Sequence, residues 1–264
     1  MKLKIVIGVV ILIVIIAGAW YMLKRVGTTQ PINIDAQSDD LILRDTTNTT
    51  TSSTTQGSNN QTDIQSVTKD PALKILAMQI IAKPIVINAT LTDAQKQNTI
   101  KQIEEIKKQI TTNYDVELPW LMLGNYRKSV QDYDGAIEAW NFLATIRPKG
   151  YLAFHNLGSL YGFELRNYTK SEENFLKAIK NNASNIDAYS QLVAVYETYK
   201  PEKIEQLLLD GIKLNPNDAS LKIMLGQYYA KIGNKIEAIK YFEEALKINP
   251  TNSEIKAEIE ELKK

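Results

Sequence analysis

The apolar positions of this chain fall into three regimes. From Ile5 to Leu23 they are continuous, an uncharged run of 19 residues bounded by Lys2 and Lys4 before it and by Lys24 and Arg25 after it. At about 1.5 Å rise per residue such a run spans the roughly 30 Å hydrocarbon core of a bilayer, and Trp20 and Tyr21 stand where an interfacial aromatic belt would hold them. Residues 1–26 are therefore predicted to form a transmembrane signal anchor. A cleaved signal peptide is the rival reading, because Ala17-Gly18-Ala19 fits a small-x-small cleavage pattern; against it, the apolar run continues past that point with no polar region. From Gly27 to Lys69 apolar positions become sparse, and Thr, Ser, Asn and Gln dominate. Too little apolar surface is present there to offset the entropy of ordering, so residues 27–69 are predicted to be a disordered linker.

Helical spacing begins at Asp70. An N-cap aspartate followed by Pro71 opens a helix that runs through ALKILAMQIIAK to Pro84. Its apolar residues almost encircle it, which suits packing against its neighbours or lying on a membrane. Ile85 to Ala89 reads as a short extended piece. Thr92, with Gln95 in the capping-box place, opens a second helix on which Ile100, Ile103, Ile106 and Ile110 form one stripe. Together these are N-terminal packing helices within residues 70–116.

Beyond Glu117 small and large residues recur in a fixed order. In 219–252 the order is Leu225-Gly226, Tyr229, Gly233, Ala238, Phe242, Ala245 and Pro250. Residues 117–150 carry Trp120, Leu123-Gly124, Tyr133, Ala136, Trp140 and Pro148. Residues 151–185 carry Phe154, Leu157-Gly158, Tyr161, Phe175 and Ala178, with one residue inserted near Asn167. Residues 186–218 carry Tyr189, Leu192, Tyr196, Leu208 and Pro216, one residue short near Lys200-Pro201, with Val193 and Gly211 replacing the usual glycine and alanine. This order resembles the tetratricopeptide repeat, a helix-turn-helix unit in which small residues let two helices cross closely and proline ends the second. One such unit cannot bury both faces, so tandem copies are required, and SEIKAEIEELKK at 253–264, with Ile255, Ile259 and Leu262 on one side, reads as the capping helix.

The resemblance implies an all-α fold, a right-handed α-solenoid whose first helices line a concave groove. The groove residues it implies are Leu118, Leu121, Met122, Asn125 and Lys128, then His155, Asn156, Ser159 and Phe163, then Asp187, Ser190, Gln191 and Glu197, then Ile223, Met224, Gln227 and Lys231. The carboxylate-clamp variety of the fold grips a chain terminus with basic residues beside asparagines. Asn125 and Asn156 match its asparagines, whereas Leu121, Asp187 and Gln191 stand where its basic residues belong, so that grip is not expected. The partner implied is a protein or extended peptide, bound through the amides of Asn125, Asn156, Gln191 and Gln227 and apolar ends at Leu121, Met122, Ile223 and Met224. Few matched charges imply weak salt dependence.

Charge narrows the function classes. Between Glu117 and Lys264 there are 19 Lys or Arg against 20 Asp or Glu, so nucleic acid is not an expected partner. The chain has no cysteine, and its single His155 lacks a metal-ligand spacing. No phosphate loop or Gly-x-Ser-x-Gly occurs, and the carboxylate pairs Glu172-Glu173 and Glu243-Glu244 read as solvent-facing. No catalytic residues, metal or small-molecule cofactor are expected. The reading is a non-enzymatic scaffold, single-pass in the cytoplasmic membrane with its repeats outside the cytoplasm, mediating protein-protein interactions in the cell envelope. The alternative is an accessory or assembly subunit of an envelope enzyme or secretion complex.

Overall fold

The computed structural model describes residues 70–264, and among them the chain is all-α. The helices are α1 (Pro71–Ala82), α2 (Asp93–Thr112), α3 (Glu117–Ser129), α4 (Tyr133–Ile146), α5 (Leu152–Ser159), α6 (Tyr168–Asn181), α7 (Ile186–Tyr199), α8 (Ile204–Leu214), α9 (Ala219–Lys231), α10 (Lys235–Ile248) and α11 (Ser253–Leu262). None of these helices is long and apolar enough to cross a membrane. The predicted anchor at Ile5–Leu23 and the linker at 27–69 lie outside the described residues.

The first two helices start as their caps dictate. Asp70 accepts from Ala72 N at 2.8 Å, and Pro71 occupies the first turn, where no N–H is needed. Thr92 and Gln95 form both halves of a capping box. Helix α1 packs against α2 and α4 through Ala77, Ile80 and Ile81, leaving Ile75 and Leu76 exposed. On α2 the buried stripe is Ile103, Ile106 and Ile110. Ile100 is exposed, so burial begins one turn later than the spacing predicts. The connection between α1 and α2 finds no strand partner; instead Asn88 N and Ala89 N donate to Val130 O at 2.9 and 3.1 Å, pinning it to the α3–α4 turn.

The pairs α3/α4, α5/α6 and α9/α10 cross closely because each first helix carries a glycine beneath an aromatic ring of the second. A Cβ on Gly124 would lie 2.1 Å from Trp140 Nε1, on Gly158 2.8 Å from the Phe175 ring, and on Gly226 2.6 Å from the Phe242 ring. In α7/α8 the sizes are exchanged: Val193 replaces the glycine and the fully buried Leu208 replaces the ring. Gly211 makes room for Tyr189, whose Cε1 would be 2.8 Å from an added Cβ. The two departures in repeat length are absorbed by helix pitch. The extra residue of 151–185 widens the end of α5 into a π-turn at Leu160–Glu164, and the missing residue of 186–218 tightens the start of α8 into a 3-10 turn at Pro201–Lys203. Helix α11 packs on α10 and buries Ile255 and Ile259.

Successive repeats are also stapled by polar groups. Glu172 is buried, not solvent-facing as its sequence neighbourhood suggested, because three donors from the next repeat converge on it: Tyr196 Oη at 2.9 Å, Lys200 Nζ at 2.8 Å and Lys203 Nζ at 3.1 Å. One repeat on, Tyr229 Oη donates to Glu205 at 2.7 Å. Burial by itself would raise the Glu172 pKa; the hydrogen bonds from Lys200, Tyr196 and Lys203 outweigh it and hold the carboxyl below its ordinary value. A depressed folded-state pKa contributes stability that is present above the unfolded value near 4.5 and is lost as pH falls through the folded value. Glu172→Gln should therefore cost about 1 to 3 kcal/mol at pH 7, and urea midpoints of wild type and variant should converge as pH falls below 4.5 and through the depressed folded-state value. A gap that stayed constant with pH would remove Glu172 as the source.

Candidate functional site

The sequence-predicted groove residues lie on the layer of first helices α3, α5, α7 and α9, except Phe163 in the π-turn after α5, and side-chain hydrogen bonds tie α3, α5 and α7 together. Asn156 Nδ2 donates to Asn125 Oδ1 at 3.1 Å, linking α5 to α3. Asn125 Nδ2 and Asn156 Oδ1 make no hydrogen bond among the described residues. The amides are thus paired to one another through one end each and keep one donor and one acceptor for another molecule.

His155 links α5 to α7. Its Nδ1 lies 3.2 Å from Asn185 Nδ2, its Nε2 lies 3.1 Å from Asp187 Oδ2, and Gln191 Nε2 donates to that same oxygen at 2.7 Å. Nδ1 faces only the Asn185 amide nitrogen, a donor, whereas Nε2 faces both the Gln191 amide nitrogen at 3.2 Å and the carboxylate oxygen, an acceptor, so the arrangement that gives each ring nitrogen a partner has Nδ1 accepting and the proton on Nε2, directed at Asp187. The ring packs edge-on to Phe175 at 5.8 Å between centroids. Burial pushes the His155 pKa below its ordinary value, opposed in part by Asp187, so the imidazole is neutral at pH 7.

Leu121, Met122 and Met224 are half-buried, as are His155, Asn156, Ser159 and Gln191, while Asn125 and Gln227 are exposed. Ser159, Met224 and Gln227 have no hydrogen bond to the polar cluster among the described residues. Sequence reasoning missed Asn185, the residue that precedes α7. In the structure it makes no side-chain cap, because its amide is turned toward His155.

Two cavities adjoin the α3 end of this layer. One of about 460 Å³ is lined by Asn125, Lys128, Ser129, Gln131, Tyr133 and Glu164, where Glu164 accepts from Tyr133 Oη at 3.3 Å and lies 3.7 Å from Lys128. The other, of about 620 Å³, shares Gln131 and Tyr133 and reaches Val86, Arg127 and Leu165. Among the described residues no group of three or more acidic or histidine side chains is placed to hold a metal ion.

Tetratricopeptide-repeat family models match residues 151–185 and 219–252. No curated protein matches the chain. Solved structures that it resembles include MamA, at 22% identity and a TM-score of 0.47 over 63% of this chain and 99% of that one. They also include YrrB, described as a TPR protein with an unusual peptide-binding site, at 21% identity and a TM-score of 0.43 over 57% and 77%. A third is PilW, described as a type IV pilus biogenesis factor, at 16% identity and a TM-score of 0.44 over 69% and 80%. With its paired helices and glycine-aromatic crossings, the described chain is an all-α helical-repeat fold in which residues 151–185 and 219–252 match the tetratricopeptide repeat.

Proposed function

We propose that this protein is an interaction scaffold that binds an extended protein segment along the layer of its first helices, and that Ile5–Leu23 tethers it to a membrane with the repeats outside the cytoplasm. The observation that carries the binding reading is the pairing of Asn125 with Asn156 across two repeats, which leaves a free amide N–H and a free carbonyl side by side. A strand-like ligand has unpaired main-chain donors and acceptors, and that pair meets both. Half-buried Leu121 and Met122 at one end and Ile223 and Met224 at the other offer apolar contacts, methionine adapting to more than one shape.

A photo-crosslinking residue placed at Asn125 or Gln227 of the full-length protein should capture peptide ligands, while one at the exposed Lys177 on α6 should not. Asn125→Ala with Asn156→Ala should weaken capture from Gln227 by about tenfold. Adducts that form only from Lys177, or capture untouched by the double change, would count against the groove. Extraction of the full chain from membranes, compared with a chain lacking residues 5–23, tests the tether.

A further inference from the structure

We infer that the middle of this groove selects a ligand carrying a cationic side chain, a lysine or arginine seated against Asp187; this rests on the groove reading above and names the chemistry of its ligand. Asp187 is 65% exposed on the first turn of α7, and only one of its oxygens, Oδ2, is engaged, by Gln191 Nε2 and His155 Nε2. Both partners are neutral donors, so neither brings a compensating charge to the carboxylate. Its second oxygen makes no hydrogen bond among the described residues.

The other acids beside the groove are already paired with bases. Glu197 receives Lys231 at 2.8 Å, and Glu164 lies 3.7 Å from Lys128. Asp187 has no lysine or arginine within ion-pair distance among the described residues, although it sits in the third of the four first helices, next to the repeat that carries apolar Met224. A second observation points the same way. Gln191 Oε1 is buried with no hydrogen-bond partner, because the amide has turned its nitrogen to Asp187. Asp187 Oδ1 and Gln191 Oε1, one turn apart on α7, are thus two acceptors that lack donors. A carboxylate or amide oxygen on the ligand would add a third acceptor, whereas an ammonium or guanidinium carries donors alone and the compensating charge. An incoming head group that takes Asp187 Oδ2 also frees the Gln191 amide to rotate its oxygen toward the same cation.

The test uses the full-length protein in detergent and fluorescent twelve-residue alanine-leucine peptides that differ only in one central residue: Lys, Arg, Gln or Glu. The Lys and Arg peptides should bind on the order of tenfold more tightly than the Gln peptide, with the Glu peptide weakest, and their advantage should shrink as salt is raised. Asp187→Asn, at an exposed site, should erase that advantage, and Asp187→Lys should turn the preference toward Glu. Equal binding of all four peptides, lost on changing Asn125 and Asn156 together, would overturn the cation site and leave the groove standing. Binding of none of them would overturn both.

Discussion

Gly226→Val should lower the stability of the repeat array by about 3 kcal/mol or more, at or above the top of the usual overpacking range. The Cβ alone would lie 2.6 Å from Cδ1 and Cε1 of Phe242, a ring with no exposed surface, and valine adds two methyls beyond it. The ring cannot retreat, because α9 and α10 hold it between them and interiors of this density have no void to receive it. Gly124→Val should be at least as damaging, with its Cβ 2.1 Å from the indole nitrogen of Trp140, which hydrogen-bonds Leu121 O at 3.4 Å. The third repeat suggests the cure. It carries Val193 and Leu208 at the same two places, so Phe242→Leu added to Gly226→Val should recover part of the loss, although either change alone destabilises. Ala245→Leu, at a site 2% exposed, belongs with the damaging set, while Lys240→Leu on the exposed face should stay within about 0.5 kcal/mol of wild type. Urea denaturation followed by helical circular dichroism checks all six variants. Equal midpoints for Gly226→Val and Lys240→Leu would mean the crossing is not where the glycine lies.

The second large effect is expected at Arg127. Where the other repeats have Tyr161, Tyr196 and Tyr229, the first has a guanidinium 2% exposed, joined to Asp132 at 2.6 Å. It also reaches the carbonyls of Lys83 and Pro84 at 3.3 and 3.5 Å, so it fastens the α1–α2 connection to the first repeat. Its Nε is buried without a partner, an added cost of keeping the charge inside. Asp132 at the same time caps α4 by accepting from Gly135 N at 3.2 Å. Removing one member strands the other in a dry site, so Arg127→Ala and Asp132→Asn should each cost about 3 to 5 kcal/mol. Asn at 132 can still cap, which separates the charge effect from the cap effect. Arg127→Met together with Asp132→Asn removes both charges and should be milder than either single charge deletion. Amide exchange at Asn88 and Ala89 is the local readout, since both N–H groups depend on Val130 O beside this pair. Unchanged protection there in Arg127→Ala would show that the arginine does not hold the connection.

Sequence alone determined what depends on local spacing. The order of small and large residues announced helix pairs and their crossing points, because a helix presents every third or fourth side chain to its neighbour whatever lies elsewhere. The Asp70 and Thr92 caps were legible for the same reason, their partners being two or three residues away. The insertion near Asn167 and the deletion near Pro201 were visible as counts, but only the folded chain decided that one becomes a π-turn and the other a 3-10 turn. Polar partnerships were not legible. Glu172 looked like half of an exposed acidic pair until Tyr196, Lys200 and Lys203, at least 24 residues away, closed over it. Nothing in the sequence marked Asn185 as a partner of His155, and Asn125 and Asn156 looked like free ligands until each met the other. An apolar side chain is committed by its period, since burial asks only for any apolar neighbour; a polar one is committed by a particular atom within about 3 Å, and tertiary packing alone brings that atom there.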